Sequence, residues 1–152
     1  MSRPSTSLCP SRLSAFPKAA GCDGPQGVEA SVDTGRLLLE GNFQGALAEM
    51  QQERTDSARD VGLAMVYHAL GRRAESDAAL ARVVHEHAQD DAWEIADAYA
   101  YRGELDQAFA WLDRAYSQKD TGLYLIKSDP WFKNLKGDPR YKAFLRKMNL
   151  PE

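Results

Sequence analysis

Apolar residues recur along the middle of this chain with the spacing of an α-helix, and glycines interrupt the pattern at regular intervals. The interruptions fall at Gly41, Gly71 and Gly103, which are 30 and 32 residues apart. This spacing predicts amphipathic helices that bury one face, and no window alternates as a strand would. The apolar stripes are Leu63, Val66, Tyr67 and Leu70 before Gly71, Ala92, Ile95, Ala96 and Tyr99 before Gly103, and Leu105, Ala108, Phe109, Leu112, Ala115 and Tyr116 after it.

Each glycine is predicted to end one helix and let the chain reverse into the next. A helix commonly ends with a residue in the left-handed conformation, which costs glycine little because it has no Cβ. The flanking segments repeat as LLLEGNFQGALAEM, YHALGRRAESDAAL and YAYRGELDQAFAWL. The sequence therefore predicts an all-α fold of antiparallel helix pairs.

This pattern resembles the tetratricopeptide repeat, a helix–turn–helix unit of about 34 residues. The resemblance implies an α-α superhelix of about three helix pairs, with units at about 28–56, 57–88 and 89–118. The first unit departs from the family pattern because Asp33 and Thr34 stand where an apolar and a small residue are usual, and the second has Ser76 in place of alanine. The matching residues are Gly41, Ala46 and Met50 in the first unit, Leu63, Ala64, Tyr67, Gly71, Leu80 and Val83 in the second, and Ala92, Ile95, Ala96, Tyr99, Gly103, Ala108, Leu112 and Ala115 in the third.

The last segment, residues 119–152, is predicted to be a helical C-terminal cap. Its two Asp-Pro pairs, at 129–130 and 138–139, predict helix starts because aspartate is a good N-cap and proline suits the first helical position. Its apolar side chains would cover the open face of the third unit, as terminal repeats do in solenoids. It resembles the closing segment of bacterial tetratricopeptide proteins, so residues 27–152 are expected to form one helical domain.

The first 26 residues have a different composition and are predicted to form a disordered leader. They contain four prolines and show no helical or strand period. An alternative interpretation is a lipoprotein cleavage site, since Ala19-Ala20-Gly21 precedes Cys22, although Pro17 and Lys18 interrupt the apolar stretch before it. The two cysteines, Cys9 and Cys22, favour neither a disulfide framework nor a zinc site, and we expect a reducing, cytoplasmic compartment.

Charge is unevenly distributed along the chain. Residues 27–118 carry eight basic and 17 acidic residues, whereas residues 119–152 carry eight basic and four acidic residues. We therefore expect the basic tail to lie against the acidic body. The net charge of −3 gives no argument for a nucleic-acid partner, and no apolar run is long enough to predict a membrane span.

The sequence indicates no catalytic, metal or cofactor site. His85 and His87 are two positions apart, so on a helix they point about 200° away from each other and cannot grip one ion. No serine, cysteine or threonine nucleophile stands in a recognisable triad context, and no glycine-rich phosphate loop is present. The acidic residues Asp91 and Glu104 are explained as helix N-terminal residues. We predict that the chain is not an enzyme.

The resemblance implies that the first helix of each unit lines a concave groove, and the candidate partner-binding residues lie on those helices. Trp93 and Tyr101 would be aromatic anchors, and Asp97 would select a basic or donor group. The alternative is that the two aromatics pack on the tail or on a second subunit. The full candidate set is Val61, Met65, His68, Trp93, Asp97 and Tyr101.

The function expected from the sequence is a non-catalytic adaptor that captures a peptide or protein segment in this groove. The family's best-known pocket clamps a C-terminal carboxylate with lysine and asparagine, but Val61 and Met65 occupy matching positions here, so that specificity is not expected. A self-associating homodimeric module is one alternative. An envelope-assembly lipoprotein anchored at Cys22 is another.

Overall fold

The computed structural model describes the backbone of residues 26–152 and the side chains of residues 33–152. The predicted leader, with Cys9 and Cys22, lies outside the described residues except for Gln26, which begins the first helix. The described part is helical throughout and contains no strand. Its α-helices are α1 Gln26–Leu39, α2 Phe43–Gln52, α3 Asp56–Ala69, α4 Arg73–His87, α5 Ala92–Tyr101, α6 Leu105–Gln118 and α7 Pro139–Lys147, and two 3-10 helices span Thr121–Leu125 and Pro130–Leu135.

The three predicted glycine turns join α1 to α2, α3 to α4 and α5 to α6. Gly41, Gly71 and Gly103 have φ angles of 77°, 73° and 77°, so each lies in the left-handed region. At Gly103 the amide donates to the Ala100 carbonyl at 3.1 Å, and the next amide, of Glu104, donates to Tyr99 at 2.9 Å. The same pair of bonds recurs at the other two glycines, so each helix end is satisfied in the same way.

The predicted apolar stripes form the core between the paired helices. Leu63, Val66, Ile95 and Leu112 are buried, which confirms the helical periodicity as the source of the packing. The first and second pairs approach closely where α2 meets α3, because a Cβ on Gly62 would overlap the buried side chain of Met50. The first helix of each pair packs against the next first helix along the chain, α1 on α3 and α3 on α5.

A buried hydrogen-bond network joins the second helix pair to the third. Arg102 follows α5, and its side chain is only 5% exposed. It forms ion pairs with Asp77 and Glu104, and its Nη1 donates to the Ser76 hydroxyl at 3.1 Å. Ser76 in turn donates to the Ala64 carbonyl at 2.5 Å. The serine at this position, where the family prefers alanine, therefore has a structural role, because alanine could not accept the hydrogen bond from Arg102.

The tail packs on the third helix pair. Both predicted Asp-Pro starts are confirmed: the carboxylate of Asp129 accepts from the Trp131 amide and that of Asp138 from the Arg140 amide, each at 2.9 Å. The first of these segments is a short 3-10 helix, whereas the second is α7. A third aspartate, Asp120, caps the other 3-10 helix at the Gly122 amide.

Ion pairs hold the basic tail against the acidic body, as the charge distribution predicted. Arg140 contacts Asp106 of α6 at 2.7 Å, and Lys147 contacts Asp113 of α6 at 2.9 Å. These side chains are substantially exposed, so each pair contributes little, about 0–1 kcal/mol. These ion pairs affect where α7 lies on α6 more than they affect the free energy of unfolding. Among residues 26–152 no helix is both long and apolar enough to cross a bilayer.

Replacing Ser76 with alanine should destabilise the fold although the hydroxyl is small. Ser76→Ala removes one buried and one partly buried hydrogen bond and leaves Arg102 one acceptor short, so we expect a loss of about 1–2 kcal/mol in the free energy of unfolding. Urea denaturation measures it as a lower midpoint at an unchanged slope. The control is Ser117→Ala, whose exposed hydroxyl also bonds a helix carbonyl and whose loss should stay within about 0.5 kcal/mol. A Ser76→Ala protein as stable as the parent would contradict the assignment.

Candidate functional site

A cavity of about 220 Å³ lies where the first helices of the three pairs meet the tail. Its walls come from α1, α3 and α5, with Met50 of α2 behind them and Trp131 of the second 3-10 helix closing one side. Among the described residues, its charged side chains all come from the start of α5 and form its acidic end, whereas Leu38 of α1 and Val61 and Met65 of α3 form its apolar wall. The lining residues are Thr34, Gly35, Leu38, Met50, Ser57, Ala58, Val61, Gly62, Met65, Asp91, Glu94, Asp97 and Trp131.

The acidic end is built by the first turns of α5. Asp91, Glu94 and Asp97 follow each other at intervals of three residues, which places them on neighbouring positions of one helix face. Asp91 is the N-cap residue, but its side chain makes no capping hydrogen bond, and the same holds for Glu104 at the start of α6. Both residues lie at helix starts, as expected from the sequence, but neither side chain makes a capping hydrogen bond. Asp91 borders the cavity, and Glu104 pairs with Arg102.

Two buried polar atoms in the cavity wall have no hydrogen-bond partner among the described residues. They are Oδ1 of Asp97, whose residue is 9% exposed, and the hydroxyl oxygen of Thr34, whose residue is 4% exposed. Unsatisfied buried polar groups are rare in folded proteins and cost about 1–3 kcal/mol each. Two further such atoms, Oε2 of Glu53 and Oε1 of Gln118, lie outside the cavity, whereas Thr34 and Asp97 line it from different helices.

The surroundings of the Asp97 carboxyl group oppose its ionisation. Burial raises its pKa well above the ordinary value, and the nearby carboxylates of Asp129, Glu94 and Asp120 raise the pKa further. Burial also raises the pKa of Asp129, which precedes the second 3-10 helix. Among the described residues, the cavity lining itself contains no lysine, arginine or histidine, and His87 lies outside it, 3.8 Å from Asp91.

The tail closes the third pair by covering Trp93. This side chain is 3% exposed, and its ring centroid lies 4.7 Å from that of Phe132. A Cβ on Gly122 would overlap the indole ring, so only glycine permits the tail to approach this closely. The tail also caps α5, because Oδ2 of Asp120 accepts from the Trp93 amide at 3.1 Å.

The structure separates the six residues predicted for the groove into two groups. Val61, Met65 and Asp97 line the cavity. Trp93 lies beneath the tail and does not offer its ring to a partner, which is the tail-packing alternative raised by the sequence. Tyr101 stacks edge-on against Trp131 at 5.2 Å, and the exposed His68 lies beside it at 6.1 Å, outside the cavity.

Reasoning from the sequence missed Thr34, Asp91, Glu94 and Trp131 as site residues. Thr34 was visible as a departure from the family pattern, and the three-residue spacing of Asp91, Glu94 and Asp97 was a second available signal. No local signal points to Trp131, because its place beside Gly35 of α1 depends on how the tail folds back across the body.

The described residues hold no group of three or more histidine, cysteine, aspartate or glutamate side chains arranged to bind a metal ion. His85 is exposed and His87 half-buried on α4, with Asp91 3.8 Å from His87. Comparison of the chain with family models, with curated proteins and with solved structures finds no match.

Replacing Asp97 with asparagine should stabilise the protein, and the gain should depend on pH. The folded pKa of Asp97 lies above the unfolded value of about 4, so the wild-type protein loses stability as pH rises from that value to the folded pKa. The asparagine side chain of the variant does not ionise, so it makes no comparable pH-dependent contribution to stability. The difference in unfolding free energy between Asp97→Asn and wild type should be small near pH 4 and grow above it, by up to about 1.4 kcal/mol per pH unit.

Denaturation series at several pH values measure this difference, with Glu86→Gln as the control for removal of an exposed carboxylate on α4. The control should show no comparable growth with pH. A destabilised Asp97→Asn protein at neutral pH, or a difference that does not change with pH, would show that Asp97 is not an isolated buried acid.

Proposed function

We propose that this chain is a non-catalytic protein-binding module whose helix pairs stack as a tetratricopeptide-like superhelix, and that its cavity takes part of another protein. The repeated glycine turn supports the stacking, since three helix ends have the same bonds and nearly the same φ angle. The packing of α1 on α3 and of α3 on α5 supports it further, because first helices of successive units are neighbours in that family.

The observation that carries the proposal is the pair of unpartnered buried polar atoms in the cavity wall. A fold selected for stability alone would gain by replacing Asp97 and Thr34 with apolar residues, because both are buried without a bond among the described residues. A ligand in the cavity that supplies the missing hydrogen-bond partners would offset this cost. The apolar wall formed by Leu38, Val61 and Met65 adds burial for whatever enters.

The size of the cavity limits what it takes. About 220 Å³ is below the usual range of about 300–1,000 Å³ for pockets that hold whole drug-sized ligands. Because the tail covers Trp93, that ring is not available to a partner, and the described cavity has room for about one side chain. The partner segment is therefore anchored by one inserted side chain, and its neighbours lie across exposed rim residues such as Glu94.

The test uses substitutions that place a large side chain at the edge of the cavity. Ala58 and Ser57 of α3 line it and are half-buried, so Ala58→Trp, or Ser57→Phe as a second variant, places an aromatic ring there. Peptides are first selected from a random displayed library on the wild-type protein. Their affinities are then measured by fluorescence anisotropy, with circular dichroism to check that each variant is folded.

The selected peptides should bind both filled variants about tenfold or more weakly, a loss of about 1.4 kcal/mol. The matched control, Ala81→Trp, places the same ring on an exposed position of α4 that does not line the cavity, and it should bind as wild type does. Selected peptides that bind Ala58→Trp and Ser57→Phe as tightly as wild type would remove the cavity from the proposal.

A further inference from the structure

The cavity combines an apolar wall with an acidic end, and this pairing identifies the chemistry of the group that fits it. Leu38, Val61 and Met65 supply the apolar wall, and Asp91, Glu94 and Asp97 supply the acidic end. From the cavity's composition we infer that it binds a cationic side chain of the partner segment, arginine or lysine, with the aliphatic stem against the apolar wall and the charged nitrogen at Asp97. This inference rests on the proposed function, since it names the side chain that the partner inserts.

Independent observations on two helices support a donor-bearing ligand. Oδ1 of Asp97 and the hydroxyl of Thr34 both lack partners among the described residues, and both residues are more than nine-tenths buried in the wall. A guanidinium or ammonium group carries several N–H donors and no acceptor, so it supplies the kind of partner that each of these oxygens lacks. An anionic or purely apolar ligand would leave the carboxyl group of Asp97 without a donor.

The electrostatic environment of the acidic end favours a positively charged ligand. Carboxyl groups surround the acidic end from α5 through Asp91 and Glu94, and from the tail through Asp120 and Asp129. In the part of the chain that the structure describes, α1 and α3 add no charged side chain to the lining. A cation bound there is attracted by several carboxyl groups at once, and it lowers the cost of ionising Asp97.

Trp131 provides a further contact for a cation. Its indole ring is half-buried at the cavity wall, held by its edge-on packing against Tyr101. A cation over an indole face is attracted by the negative charge that the ring's quadrupole places there. Long side chains also bury their methylene stems readily while the charged end keeps polar partners, which matches a cavity that is apolar along one wall and acidic at one end.

The experiment titrates blocked alanine pentapeptides with one central arginine or lysine into the isotope-labelled full chain, followed by backbone amide NMR. The neutral analogues carry citrulline in place of arginine and norleucine in place of lysine. The cationic peptides should shift amides around the cavity with saturable, millimolar affinity, and the neutral analogues should not. Free n-butylguanidinium is titrated in a separate experiment, and it should bind more weakly than the arginine peptide.

The variant is Asp97→Asn, which keeps the shape of the side chain and removes its charge. It should weaken the arginine or lysine peptide about tenfold or more, whereas Glu86→Gln, at an exposed position of α4, should not. Affinity should also rise with pH in the wild-type protein, because ionised Asp97 binds the cation better, and most of this rise should vanish in Asp97→Asn.

Equal binding of cationic and neutral peptides, or unchanged binding to Asp97→Asn, would overturn the inference. Binding of n-butylguanidinium as tight as that of the peptide would overturn its assignment to a partner side chain. The library selection distinguishes this failure from failure of the proposed function. Selected peptides that lack a required arginine or lysine but remain sensitive to Ala58→Trp would reject the cationic ligand and leave the binding module intact.

Discussion

Trp93 packs between Phe132 and Gly122, and this contact holds the tail against α5. The N-cap residue of α5 makes no side-chain capping hydrogen bond. The tail supplies one, because the Asp120 carboxylate accepts from the Trp93 amide near the start of α5. The same docking carries Trp131 to the side of α1, where it closes the cavity wall. The tail thereby closes one side of the cavity between α1, α3 and α5.

Two residues of the cavity wall affect the stability of the fold. Asp97 and Thr34 lie in this wall with no hydrogen-bond partner among the described residues, and the approach of Asp129 and Asp120 with the tail makes ionisation of Asp97 harder still. The folded chain is therefore less stable than its core alone would permit. Such local costs are typical of sites that gain their missing bonds from a ligand, and here the missing bonds call for donors. If the proposed ligand binds, stability and binding are linked through the same two oxygens.

The parts of the fold that depend on local physics were predictable from the sequence. Gly41, Gly71 and Gly103 mark helix ends because only a left-handed residue completes those bonds, and the Asp-Pro pairs mark helix starts for an equally local reason. Ser76 and Trp131 could not be interpreted in this way. The partner of Ser76 is Arg102, 26 positions away, and Trp131 reaches α1 only after the chain has folded back over three helix pairs. Non-local contacts of this kind leave no periodic signal, which is why the sequence left open whether Trp93 lies in a groove or packs on the tail or on a second subunit.

Amide hydrogen exchange of the full chain tests most directly whether the tail is docked on α5. If the tail is docked, the hydrogen-bonded amides within residues 121–135 and the Trp93 amide exchange slowly, with opening free energies close to those of α5 and α6, because they open together with the third helix pair. Exchange of residues 121–135 at the rate of an unfolded segment, while α3 to α6 remain protected, would contradict this docking. The cavity, its buried carboxyl group and the ligand inferred from them would then lose their structural basis.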